Sequence, residues 1–202
     1  MIQGTIKGIL AGLCISIGGS VFLSCESKVV GSIFFCVALL VICMFGFALF
    51  TGKVGFLAVN HTGKDFKDVL TSLLGNLIGC VLFGLMVQVG SPKLIAVAQT
   101  ICTAKLAETV WEALIRAFFC GVLMYAAVWV YRNKNSISAI FFCVPVFILS
   151  GFEHSIANMF YFAVSGFFTW DALVYIVLIV LGNSIGGLFI PVMMNLCEKT
   201  KA

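Results

Sequence analysis

The run Ser150-Gly151-Phe152-Glu153-His154-Ser155-Ile156-Ala157-Asn158 places a carboxylic acid, an imidazole and an amide side by side. Such a set can bind an anion, donate hydrogen bonds to it or move a proton, and imidazole is the side chain whose ordinary titration lies nearest neutrality. Its surroundings make it unusual. The 202 residues are 62% hydrophobic and only 10% charged. Ionisable groups at membrane depth are costly, so they mark cavities and substrate paths. Gly-Phe-Glu-His also reads as a break in a helix, with backbone turned toward something polar.

The elements that carry this run are helices. Soluble domains are about a quarter charged, and the mean hydropathy here is +1.17. A barrel would show short alternating segments, whereas the apolar stretches are long and continuous. Charge-poor windows cover 8–25, 29–52, 69–92, 113–131 (with Arg116 inside), 135–152 and 172–197. A helix needs about 20 residues to cross the hydrocarbon core. The windows therefore predict an all-α membrane protein with six crossings, the second and fifth broken. Basic residues set the orientation. Lys64, Lys67, Arg132, Lys134, Lys199 and Lys201, with Lys7 at the edge, fall on one side, and Lys28, Lys93 and Lys105 on the other. Both termini are therefore expected in the cytoplasm of a multi-pass protein of the bacterial cytoplasmic membrane.

Phe22-Leu23-Ser24-Cys25 faintly resembles a lipoprotein cleavage site, but that segment is needed as the first crossing. Nine cysteines are scattered without a CxxC or Cys/His cluster, and there are two histidines. No metal, cofactor or disulfide framework is expected. The net charge of +4 makes no case for nucleic acid. Without paired catalytic acids or a metal cluster, an intramembrane enzyme is also disfavoured.

The chain repeats itself. Leu74-Gly75-Asn76-Leu77-Ile78-Gly79 returns as Leu181-Gly182-Asn183-Ser184-Ile185-Gly186. One copy falls in the third crossing and the other in the sixth. Three crossings per half invert the second half, as in many transport proteins with broken helices and a site near the midplane. A single channel domain over 1–202 follows, with repeat one at about 1–95 and repeat two at about 105–202. The breaks lie at 45–53 and 150–158. Glu112 and Arg116, four apart, are expected to pair on one helix face. His61 is expected in a solvated loop at 60–64. Trp111, Trp129 and Trp170 fall at expected helix ends.

Leu49-Phe50-Thr51-Gly52, Ala127-Val128-Trp129, the run 151–159 and Gly182-Asn183-Ser184-Ile185-Gly186 together resemble the formate/nitrite transporter family over nearly the whole chain. The resemblance implies an aquaporin-like fold and a homopentamer with one pore per protomer. It implies small monovalent anions as permeants: formate, nitrite, hydrosulfide. By the same resemblance His154 is the central histidine and Asn183 its partner, orienting the ring. Thr51 is the threonine of the first break, and Lys105 the outer-vestibule lysine. Leu39 and Leu49 would form apolar constrictions, with Phe35 and Phe147 toward the cytoplasm. An amphipathic helix before the first crossing is expected to be short or missing, which puts gating by it in doubt. Lys53 stands where a neutral residue is usual. It would either point into the pore or be structural, snorkelling or pairing with Glu153.

These assignments carry a mechanism. Burying a bare ion is expensive, and apolar rings resist it by dewetting. Formic acid has a pKa of ~4, like an Asp side chain. Lys105 would gather the anion, and His154 would lend a proton or supply positive potential. Glu153 would bond to loop backbone or to a nearby cation. The alternative is an aquaporin-like pore for small neutral solutes, against which stands the missing pair of Asn-Pro-Ala motifs.

Overall fold

The computed structural model describes residues 2–59 and 61–199. Met1, Asn60 of the expected 60–64 loop, and residues 200–202, including Lys201 of the expected inner basic set, lie outside them. In chain order the helices are α1 (Ile2–Ser24), α2 (Lys28–Phe45), α3 (Phe50–Lys53, continued by a 3₁₀ turn over Val54–Ala58), α4 (Gly63–Gly90), α5 (Lys93–Leu106), α6 (Val110–Lys134), α7 (Ser138–Leu149), α8 (Ser155–Ser165) and α9 (Trp170–Lys199). Among the described residues, α1, α2, α4, α6 and α9 are long and apolar enough to cross a membrane. The short helices α7 and α8 are compatible with a divided fifth crossing, and α3 with a broken continuation of the second.

Both breaks turn on glycine. Gly46 (φ +65°) ends α2, and Gly151 (φ +68°) follows α7. Left-handed backbone of this kind carries little cost without a Cβ. After each turn the chain runs three extended or irregular residues back into the protein before a new helix begins.

Helix starts are written locally. Thr62 accepts from Asp65 N, and Thr109 from Glu112 N, each in a reciprocal capping box. Glu112 is thereby committed to its cap, so the expected pairing with Arg116 does not form. Arg116 Nη1 instead lies 2.7 Å from Glu108 Oε1.

The heaviest packing joins α1 to α4 and α6 to α9. Small residues permit both contacts. A Cβ on Gly75 would meet the Thr5 carbonyl, and one on Gly186 would run into the Phe118 carbonyl. Helix α5, unforeseen in the sequence, packs on α8 through Leu94, Ala98 and Cys102, one face at intervals of four. The side chains turned outward are mostly large and apolar, including Phe34, Phe142, Trp111 and Trp170. Such a surface belongs to lipid or to a protein neighbour.

Candidate functional site

The segments that follow the two glycine turns meet. Thr51 Oγ1 lies 2.9 Å from His154 Nε2, and both residues are buried. His154 caps α8, and its Nδ1 accepts from Ala157 N at 3.1 Å. A nitrogen that accepts from a backbone N–H carries no proton of its own. The single ring proton is therefore on Nε2, and His154 donates it to the Thr51 hydroxyl oxygen.

Two asparagines hold the backbone on either side of that contact, in matching fashion. Asn76 Oδ1 accepts from Phe50 N (2.9 Å), and its Nδ2 donates to Ala48 O and Gly8 O (both 2.9 Å). Asn183 Oδ1 accepts from Ser155 N (2.8 Å), and its Nδ2 donates to Glu153 O and Ala117 O (both 2.8 Å). Phe50 and Ser155 are the first residues of α3 and α8. Each amide thus ties a half-helix start to a neighbouring long helix. Asn183 makes no bond to the imidazole, so the expectation that it orients the ring directly is corrected. It fixes the chain to which the ring is attached.

Cavities open toward the contact from opposite ends of α2. One, about 510 Å³, is lined by Lys28, Lys105, Phe147, Glu153 and His154, among others. The second, about 210 Å³, is lined by Leu39, Leu49, Lys53, Val128, Tyr131 and Arg132. Leu39 and Leu49 are almost fully buried and stand on the Arg132 side of the contact. Phe147 stacks on the His154 ring with centroids 5.6 Å apart, and Phe35 meets Phe147 edge-on at 6.2 Å. That pair therefore belongs to the Lys105 side, not to the opposite, cytoplasmic side expected from the sequence. The reason is topological. Phe147 is on the last turn of α7, beside the break that descends to His154. Phe35 lies two turns from Lys28, itself part of the Lys105 cavity.

Lys105 does not face that cavity as a lone cation. Its Nζ lies 2.6 and 2.5 Å from the two Glu153 oxygens, and Asn158 Nδ2 donates to Glu153 Oε2 at 2.7 Å. The acid beside the histidine thus has the cation that the sequence left unnamed, and it is Lys105 rather than Lys53. Sequence reasoning also missed Ser155. Its hydroxyl, buried next to His154, makes no hydrogen bond among the described residues. A buried group of this kind calls for an explanation.

The family model for formate/nitrite transporters matches residues 1–197. The chain belongs to the formate/nitrite transporter family. Within this family it is 32% identical over 178 residues to the nitrite transporter NirC of Escherichia coli (strain K12), an alignment covering 81% of this chain and 66% of that protein. It is also 32% identical over 149 residues to the formate channel FocA of the same strain, covering 66% of this chain and 52% of that protein. The chain thus spans between half and two thirds of these relatives' length. Among solved structures, an FNT family ion channel superposes with a TM-score of 0.82 at 24% identity, covering 98% of this chain and 88% of that one. A pentameric formate channel with formate bound gives 0.76 at 20% identity, covering 98% and 97%. At those identities the likeness establishes the fold, that of a multi-pass membrane protein of this family.

Proposed function

We propose that residues 1–202 form one channel domain passing small monovalent anions of weak acids, with formate the leading permeant and nitrite and hydrosulfide as others. The observation that carries this reading is the 2.9 Å His154–Thr51 contact standing between two cavities. The names of NirC, FocA and the formate-bound relative supply the substrate class. The pentameric relative supports a homopentamer. The lysine and arginine distribution supports a multi-pass protein of the bacterial cytoplasmic membrane with both termini on the cytoplasmic side. A pore for neutral solutes is not favoured by those relatives.

In this reading the anion enters the Lys105 cavity, where it competes with Glu153 for the ammonium, and slides past Phe147 to the waist. There the Thr51–His154 bond opens around it. Nε2–H and the uncommitted Ser155 hydroxyl become its donors. The start of α8 adds the partial positive charge of a helix N-terminus. Giving up the Nε2 proton while Nδ1 still caps α8 would leave an imidazolate. Hydrogen bonding from a neutral ring is therefore the role this geometry favours, and proton lending requires the cap to open first. Leu39 and Leu49 exclude water and bulk ions on the far side.

The test is flux through the purified chain in proteoliposomes with formate, nitrite, hydrosulfide, chloride and glycerol. Formate or nitrite passing well ahead of chloride and glycerol supports the reading. Glycerol passing while the weak-acid anions do not would overturn it.

A further inference from the structure

The two ends of the pathway differ in charge. At one, the Lys105 ammonium is taken up by Glu153, and the cavity's other cation, Lys28, lines it together with a second carboxylate, Glu26. At the other, Lys53 and Arg132 both line the 210 Å³ cavity beneath Leu39 and Leu49, and among the described residues neither makes an ion pair. Lys53 Nζ donates to Ser72 Oγ at 3.3 Å, a neutral partner. The Arg132 guanidinium carbon sits 4.4 Å from the centroid of the Phe56 ring, which positions the cation and leaves its edge N–H groups unspent. Asp65 and Asp68 line a smaller side cavity of about 100 Å³ with both cations. Asp68, Arg132, Lys7 and Asp65 all act on Lys53 through space, so the cluster, Lys53 included, holds three cations and two carboxylates. Gly52, the residue before Lys53, also lines the main cavity.

We infer that Lys53 and Arg132 form a binding site for a small monovalent oxyanion (a carboxylate or nitrite), and that this site makes the pathway asymmetric, with tighter capture at the Arg132 end than at the Lys105 end. The inference rests on the pore reading above. Two donors of like charge facing one apolar-capped recess suit a planar anion with two oxygens. Arg132 can meet both oxygens at once, and Lys53 acts as a point charge beside it. Leu39 and Leu49 then form the wall against which the captured anion waits.

The test is the initial rate of labelled formate uptake, and separately of nitrite uptake, against concentration in right-side-out and inverted membrane vesicles carrying the full chain. The expected result is a lower half-saturating concentration when the anion is presented to the Arg132 face. Lys53→Met should raise that value about fivefold, the worth of one unit charge at contact distance in high dielectric, and Lys53→Arg should restore it. The difference between faces should shrink as ionic strength rises. Equal half-saturation from both faces in the parental chain would overturn the assignment, as would a Lys53→Met variant with flux but an unshifted value. Absence of formate and nitrite flux from either face in the parental chain would refute the pore reading itself, and this inference with it. Flux with Lys53→Met unshifted would refute only the inference.

Discussion

Removing one of the paired asparagines is the sharpest structural perturbation available. Asn183→Ala deletes three hydrogen bonds at 2.8 Å in a fully buried place. It leaves Ser155 N and Glu153 O without those partners, and the Ala117 carbonyl with one bond fewer. Each buried group left unsatisfied costs about 1–3 kcal/mol, so the variant should lose about 3–5 kcal/mol. That is a large share of the roughly 5–15 kcal/mol that keeps a domain folded. Asn76→Ala removes the matching set and should cost about the same. The assay is unfolding in mixed micelles by increasing denaturing detergent, with a thermal melt alongside. Both variants should unfold earlier than the parent and by similar margins. A stable Asn183→Ala protein that had lost only anion flux would refute the reasoning, because its side chain would then be a pore ligand and not a backbone tie.

Three further substitutions separate roles. Glu153→Gln keeps a hydrogen-bonding group beside Lys105 and Asn158 but frees the ammonium, so the half-saturating formate concentration at the Lys105 face should fall about fivefold; collapse of flux at all concentrations would instead mark Glu153 as a proton carrier. Ser155→Ala removes a hydroxyl with no partner among the described residues, so the melting temperature should hold or rise while formate flux drops, and unchanged flux would remove the hydroxyl from the path. Gly186→Ala places a methyl group against the Phe118 carbonyl and should strongly reduce the yield of folded protein on size-exclusion chromatography; parental yield would mean that α6 and α9 can separate at little cost.

Much of this architecture was legible because apolar sequence is informative when interrupted. The Leu-Gly-Asn repeat pointed to matched positions, and the asparagines do perform matched bonds. The glycine-bearing runs pointed to interruptions in apolar sequence, and Gly46 and Gly151 there take left-handed φ. Other features turned on geometry that spacing does not encode. The Glu112–Arg116 spacing fits a helix pair, yet Thr109-x-x-Glu112 is equally a capping box, and the cap wins because it satisfies backbone donors that nothing else reaches. The face Leu94, Ala98, Cys102 has helical spacing, but it lies between two charge-poor windows, outside the segments that hydropathy marks. Placing Phe35 and Phe147 required knowing how far each half-helix descends before it turns. Asn183 was assigned to the ring by the resemblance alone; which atoms it bonds depends on backbone carbonyls that no motif displays.

The central claim is that the His154 imidazole stands at the narrowest point of the pathway and serves the anion there. Formate and nitrite flux through reconstituted His154→Asn and His154→Phe chains, followed across pH, tests it most directly. Asparagine can still offer a donor and an acceptor, so it should retain reduced anion passage with an altered pH profile, while phenylalanine should abolish anion passage in a protein that remains folded. Parental rates for both variants at every pH would contradict the account.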